Sequence, residues 1–205
     1  MNDRREIVNH SEIIALMALS RLAGIGDKRR ARLLGAFGSA RAALERPVSE
    51  WARVLGLSTA MLENARDGLD LQSAQKRWET FETRGGTAVL LHEPDCWDLL
   101  SRLDPRPPLL FVLGDPELLS RAVCGAIVGT RRPSRAWVAT ARRIASELAA
   151  RGFCVVSGMA SGIDTAAHSG ALYMGGRTIA VLGSGVDVAT FSRRFDSRTS
   201  GFGET

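Results

Sequence analysis

The 205-residue sequence predicts an α/β fold in which a small all-helical region precedes a parallel sheet. Two observations support this fold class. Residues 11–70 carry apolar side chains at helical spacing, interrupted by glycine. Residues 124–182 alternate short apolar runs with longer segments of helical period. Strand–helix–strand units of this length form parallel sheets through right-handed crossovers, so the sheet is expected in the last third of the chain.

The helical region is expected to contain several short helices. Residues 13–19 fit one helical face. A second helix follows Gly24-Ile25-Gly26, where Asp27 can cap it by accepting a bond from a free backbone N–H. Gly35 and Gly38 are expected to end that helix.

Further elements follow along the chain. Ser39 can cap a third helix, and residues 59–83 suggest a longer helix that leads into a second domain. After Gly85-Gly86 the pattern changes to short apolar runs at 87–91 and 109–113, which predict strands.

The last third has the clearest pattern. Three apolar runs predict buried strands at 124–128, 153–157 and 178–182. Ser134 and Asp164 can cap the two helices between them.

The net charge of +5, from 27 basic and 22 acidic residues, is unevenly distributed. Residues 1–70 have 11 basic and 9 acidic side chains, residues 71–120 have 5 and 8, and residues 121–205 have 11 and 5. Apart from Lys28 and Lys76, every basic residue is arginine, which makes planar, bidentate contacts with phosphate. A GC-rich coding sequence also favours arginine, but it does not explain why the charge clusters.

Several classes of protein are disfavoured. No apolar run approaches the roughly 20 residues that span a bilayer, and no signal-peptide pattern is present, so we expect a cytoplasmic protein without membrane contact. Cys96, Cys124 and Cys154 lack the spacing of a disulfide framework or a zinc site, so no metal is expected.

Small residues follow each of the three C-terminal strands. The carboxyl ends of parallel strands share one edge of a sheet, where ligands bind, and helix N-termini there present N–H groups to phosphate. We therefore predict a phosphate-binding groove, unless the glycines only make tight turns. Its candidate residues are Gly129, Thr130, Arg131, Arg132, Ser157, Gly158, Gly162, Arg177, Gly183 and Ser184, with Arg135 close by in the sequence.

Cofactor and catalytic signals are weak. Neither a dinucleotide fingerprint nor a P-loop is present, so no cofactor is expected. Asp164 and His168 share a helical face and could form an acid–base pair, although a local contact at the helix start is the favoured interpretation. Asp187 could be a loop carboxylate. Trp137 is close to the arginine cluster and could stack on a base.

The turn at Gly24-Ile25-Gly26 resembles a helix-hairpin-helix. In that motif the hairpin and the following helix N-terminus contact nucleic-acid phosphates without reading sequence. Gly24, Gly26, Lys28 and Arg29 are its candidate contacts. A helical spacer with a basic, solvated face is the alternative.

Three longer segments, at 126–134, 155–168 and 175–188, resemble the signatures of the DNA-processing protein A family, also called Smf. The resemblance extends from about residue 11 to Val188. It implies a sterile-alpha-motif-like N-terminal domain and an extended Rossmann-like domain without enzymatic activity. It further implies sequence-independent binding of single-stranded DNA in natural transformation, protection of that DNA, loading of the RecA recombinase, and a homodimer formed through the Rossmann-like domain.

For individual residues, the resemblance implies that Gly129, Thr130 and Arg131 contact DNA phosphates. Ser157, Gly158 and Gly162 would form the adjacent cradle. Two local departures are Thr130 in place of the commoner serine and Ala136-Trp137 in place of an aromatic residue followed by glycine.

The predicted domains are 1–70 (helical), 71–188 (Rossmann-like) and an irregular tail at 189–205. Because the family's later motifs do not follow Val188, we interpret the tail as a shifted reading frame or an artefactual end. A sheet truncated there is expected to be marginally stable, with an unprotected strand edge and doubtful dimerisation.

The sequence leaves two other functions open. One is a nucleotide or phosphoribosyl hydrolase on a related scaffold, with Asp164 and His168 or Asp187 as acid–base groups. The other is a non-functional fragment.

Overall fold

A computed structural model describes residues 10–91, 100, 103 and 106–185. The chain divides into two compact units, 1–116 and 117–205. The units and the predicted domains therefore differ over residues 71–116. Asp187, Cys96 and the tail at 189–205 lie outside the described residues.

The N-terminal unit contains six helices among its described residues. They are α1 (His10–Leu19), α2 (Asp27–Phe37), α3 (Ala40–Glu45), α4 (Val48–Leu55), α5 (Thr59–Asp67) and α6 (Leu71–Glu82). Short polar side chains cap the N-termini of three of these helices. Ser39 Oγ accepts from Ala42 N–H in α3, as predicted. Ser58 and Asp70 do the same for α5 and α6.

Three predictions for these helices are wrong. Residues 59–83 form two helices, because Gly68 ends α5 and Asp70 starts α6. Gly35 lies inside α2, since one helical glycine costs only about 1 kcal/mol and the neighbouring residues favour helix. Asp27 is the first residue of α2, and Gly26 takes the N-cap position.

Large apolar side chains fill the core of this unit. Trp51 is fully buried, and its indole N–H donates to Ala43 O at 2.8 Å. Glu12 is also buried. Its carboxylate accepts from Ala40 N–H at 2.6 Å and from Arg41 N–H at 3.0 Å, so α1 caps α3.

The same unit contains an antiparallel pair of strands, β1 (Gly86–Leu90) and β2 (Leu109–Leu113). Both were predicted as strands. Their register places Gly86 opposite Leu113.

The C-terminal unit contains the predicted parallel sheet. Its elements are α7 (Leu118–Arg121), β3 (Cys124–Ala126), α8 (Arg135–Ala150), β4 (Cys154–Ser157), α9 (Ile163–Tyr173) and β5 (Thr178–Ala180). The strand order is β3-β4-β5, and both pairings are parallel. Ser134 caps α8 as predicted, with Trp137 N–H at 3.5 Å from its Oγ.

Small residues pack α8 against α9 in this unit. The buried cluster consists of Ala145, Ala149, Val155, Ala167 and Ala171. A Cβ added at Gly170 would lie 2.3 Å from Arg142 O, so the two helices approach too closely for any larger side chain there. Within the described ranges, no helix is long and apolar enough to cross a membrane.

Candidate nucleic-acid interface

Two loops leaving the carboxyl ends of β3 and β4 are held together by their backbones. Ile163 N–H donates to Thr130 O at 3.2 Å. Gly129 packs against Ile163, where an added Cβ would come within 2.7 Å of the side chain. Gly162 has φ +92°, and a Cβ there would lie 2.4 Å from Thr130 O. Only glycine fits this position, so the pattern of small residues reflects a close approach of two loops.

A third loop follows β5 and is hydrogen-bonded to the end of β4. Val181 N–H donates to Ser157 O at 2.8 Å, which continues the β4–β5 pairing. We call residues 129–135, 158–162 and 181–185 the cradle loops. Gly183 and Ser184 are exposed in the third loop, and an added Cβ at Gly183 would meet no atom within 4 Å.

Ser157 connects β4 to the first cradle loop. Its hydroxyl is buried and donates to Ile127 O at 2.7 Å, while Ile127 N–H donates to Val156 O at 3.0 Å. The Ser157 hydroxyl therefore holds the end of β4 against the segment that follows β3. Its contact with phosphate stays a prediction.

The Asp164 carboxylate accepts a hydrogen bond from the backbone of the second cradle loop. Its Oδ2 accepts from Ala160 N–H at 3.2 Å and would lie 3.0 Å from a Cβ added at Gly158. Its Oδ1 is buried without a hydrogen-bond partner among the described residues. The predicted helix cap at Asp164 is wrong, because Gly162 occupies the N-cap position and Asp164 lies in the first turn of α9. The loop also contains Met159 at φ +60°, a conformation rare for residues other than glycine.

His168 is buried in α9, one turn after Asp164. Its Nδ1 lies 2.7 Å from Thr178 Oγ1, and that hydroxyl donates to Val155 O at 2.6 Å. Since the hydroxyl has only one proton, Nδ1 must be the donor in the pair, which fixes the tautomer. Burial lowers the pKa of His168, and the nearby Asp164 carboxylate opposes that shift. This geometry ties α9 to β4 and β5.

The first cradle loop contains three arginines. Arg131, Arg132 and Arg135 are exposed, and within the described part of the chain their guanidinium groups form no ion pair. Arg132 N–H donates to Thr130 Oγ1 at 3.2 Å, which keeps the loop folded. Trp137 is 64% exposed in the first turn of α8, the turn that begins with Arg135. Cationic and aromatic groups thus lie at one edge of the sheet.

The structure does not bring Arg177 to this edge. Arg177 is exposed and immediately precedes β5, so it lies at the amino end of that strand. The cradle loops leave the carboxyl ends of the same parallel strands. Sequence proximity to β5 suggested a shared groove, but the direction of the strand separates them.

The hairpin before α2 is held by its own arginines. Gly24 has φ +75°, and its carbonyl accepts from the Arg29 side chain. Arg30 donates to Ile25 O at 2.9 Å. Gly26, Asp27, Lys28 and Arg29 line a shallow depression at the start of α2. Lys28 is exposed there, whereas Arg29 is partly occupied in holding the turn.

Sequence reasoning missed the contact between Asp164 and Ala160. The available signal was an Asp two residues after Gly162, at a helix start and near a glycine-rich loop. It could not show which way the carboxylate turns, because that depends on how the second cradle loop folds over α9.

Comparisons with known proteins agree with these features. Residues 87–195 match the family described as DNA recombination-mediator protein A. The chain is 33% identical over 183 residues to the protein Smf of Synechocystis sp., covering 87% of this chain and 46% of that protein. It is 44% identical over 96 residues to the DNA processing protein DprA of Streptococcus pneumoniae, covering 46% of this chain and 33% of that protein.

A solved structure supports the same conclusion. The X-ray structure of DNA processing protein A (DprA) from Streptococcus pneumoniae matches with a TM-score of 0.73 and 26% identity, over 94% of this chain and 64% of that chain. This match confirms the Rossmann-like α/β fold class. The chain spans less than half the length of the two curated relatives. Because the family match covers more than half of its residues, the chain belongs to the DNA recombination-mediator protein A family.

Proposed function

We propose that the cradle loops bind single-stranded DNA through its phosphates, without reading sequence. The observation that carries this proposal is the backbone joining of the first two loops at Thr130 and Ile163, beside three arginines that form no ion pair within the described part of the chain. A pre-formed glycine-rich surface lets phosphate reach backbone N–H groups, and the arginines supply the charge.

The N-terminus of α9 supports this site. Gly162 leaves the first turn without a side-chain cap, and although Ile163 N–H donates to Thr130 O, the next N–H groups of that turn can donate to an anion. Gly158 and Gly162 contribute no side chain that would block an approaching anion. Trp137 would add sequence-tolerant stacking on a base.

The wider role follows from family membership. In this proposal the chain acts in the cytoplasm during natural transformation, protects incoming single-stranded DNA and presents it to the RecA recombinase. Binding alone accomplishes this role, without catalysis or a cofactor. A homodimer formed through the Rossmann-like unit belongs to the same proposal, as does a second phosphate contact at Gly24, Gly26, Lys28 and Arg29.

A salt series with a fluorescently labelled oligothymidine tests the proposal. Each phosphate contact that is lost lowers the slope of log affinity against log salt by about 0.7 for a single strand. Arg131→Ala should weaken binding at low salt on the order of tenfold and lower the slope by about that amount, for every base composition.

The matched control is Arg143→Ala. Arg143 is exposed on the same helix as Arg135, about 12 Å further along it, and pairs with Glu147 at 2.9 Å. This substitution removes the same charge and should leave affinity within twofold of the parent chain. Equal weakening by both substitutions would mean that net charge alone attracts DNA. Hydrolysis of a nucleoside monophosphate that is abolished by His168→Gln would instead favour the hydrolase alternative.

A further inference from the structure

Two cysteines that are 30 positions apart in the sequence are direct neighbours in the sheet. Cys124 and Cys154 are Cα partners in the parallel β3–β4 register, and Cys154 N–H donates to Val123 O at 2.8 Å. Side chains of directly paired residues project from the same face of a sheet. The sequence spacing gave no indication of this pair, because it depends on the register of two separate strands.

The backbone spacing suits a covalent bridge. Neighbouring strands lie about 4.8 Å apart, within the roughly 4.4–6.8 Å between Cα atoms that disulfides span. The two thiols are close enough for Cys124 to contribute to the raised pKa of Cys154. The Cys124 thiol donates to Ala122 O at 3.5 Å. Little backbone movement is therefore needed to join the two sulfur atoms.

We propose that Cys124 and Cys154 form a peroxide-oxidisable thiol pair that closes into a disulfide between β3 and β4. Both cysteines are free thiols in this structure. The site lies at the amino ends of the strands, whereas the cradle loops leave the carboxyl ends. It is therefore separate from the proposed DNA surface and does not depend on it.

Exposure sets the order of the two steps. Cys124 is partly exposed, whereas Cys154 is fully buried, so peroxide reaches Cys124 first. Burial also raises the pKa of the Cys154 thiol to about 11, which keeps it protonated at neutral pH. A protonated, buried thiol is a poor first nucleophile towards an oxidant in solution.

Hydrogen peroxide is the two-electron oxidant of this reaction. The Cys124 thiolate attacks one peroxide oxygen, the O–O bond breaks, and hydroxide leaves and takes a proton to become water. Cys124 is then a sulfenic acid. The Cys154 sulfur attacks the Cys124 sulfur as its proton passes to the departing hydroxide, so the S–S bond forms, the S–O bond breaks and a second water leaves. The two thiols lose two electrons, and one peroxide becomes two waters.

Peroxide titration of the full chain tests this proposal. Cys96→Ser provides a background in which Cys124 and Cys154 are the only thiols. The expected product has lost both titratable thiols and the mass of two hydrogen atoms, yields a peptide joining Cys124 to Cys154, and regains its thiols with dithiothreitol. Thiols that remain free, that gain oxygen without joining, or that join two chains would overturn the proposal.

Single-cysteine variants test the order of attack. In the Cys96→Ser background, Cys154→Ser should accumulate a sulfenic acid on Cys124 that dimedone traps. Cys124→Ser should leave Cys154 unlabelled at the same peroxide concentration. Faster labelling of Cys154 than of Cys124 would contradict the proposed sequence of steps.

Discussion

The two units of the chain bury different kinds of side chain. The N-terminal unit packs Trp51 and large aliphatic residues such as Leu33 and Leu62. The C-terminal unit packs alanines around Val155. Large side chains stabilise a unit through the apolar area that they bury. Small side chains allow close approaches in the C-terminal unit, between α8 and α9 at Gly170 and between the first two cradle loops at Gly162.

This contrast predicts opposite sensitivities. The N-terminal unit should be damaged most by substitutions that remove volume, because they leave cavities. The C-terminal unit should be damaged most by substitutions that add volume where α8 and α9 meet, because an added Cβ at Gly170 would lie 2.3 Å from Arg142 O. Each of the following substitutions probes one side of this comparison.

Trp51→Ala should have the largest effect on stability. It removes a fully buried ring and the hydrogen bond to Ala43 O, which together should lower the free energy of unfolding of the N-terminal unit by about 3–5 kcal/mol. Urea unfolding followed by circular dichroism measures the change. Trp137→Ala is the matched control, since Trp137 is 64% exposed and its loss should cost less than about 0.5 kcal/mol. Similar losses for both variants would refute the proposed role of core volume.

Gly170→Ala should have the next largest effect. The added methyl group would lie 2.3 Å from Arg142 O and should destabilise the C-terminal unit by about 1–3 kcal/mol. The same change at Gly35, which is also helical but has open space around it, should instead stabilise α2 by about 0.5–1 kcal/mol. Thermal unfolding of the two variants would therefore shift in opposite directions. If Gly170→Ala stabilised the chain, α8 and α9 would have room for a methyl group at this position and the proposed close packing would be wrong.

Gly35 and Gly68 show how far the sequence predicts the structure. The parallel sheet and the start of α8 were predictable, because apolar runs and Ser134 are local signals. Gly35 was expected to end a helix, yet the helix-favouring residues around it continue α2 at a cost of about 1 kcal/mol. Gly68 was overlooked as a helix terminator, because glycine alone does not show whether a helix ends or continues.

The candidate site was predictable in outline but not in its internal contacts. The small residues after each strand indicated where the loops would meet. The turn of Asp164 towards Ala160, the position of Arg177 at the amino end of β5 and the pairing of Cys124 with Cys154 depend on strand direction and register. Those properties involve residues far apart in the sequence, so local patterns do not determine them.

His168 should give the smallest effect, and one that depends on pH. Burial lowers its pKa below the ordinary 6.5, so the unfolded chain binds the proton more readily than the folded chain. The C-terminal unit should therefore have its full stability above pH 6.5 and lose stability as the pH falls through the lowered pKa. The difference in unfolding free energy between the parent chain and His168→Gln, measured from pH 8 to pH 5, isolates this contribution. If the parent chain gained stability relative to the variant as the pH falls, the predicted direction of the pH dependence would be wrong.

The proposed DNA-binding surface is tested most sharply by finding which residues DNA contacts. Hydrogen–deuterium exchange of the full chain, with and without oligothymidine at low salt, locates the contact along the sequence. We expect slower exchange in the three cradle loops, at 129–135, 158–162 and 181–185, reversed by high salt, with a smaller change at 24–30. Protection confined to 24–30, or no protection at saturating oligothymidine, would contradict the claim that the cradle loops bind single-stranded DNA.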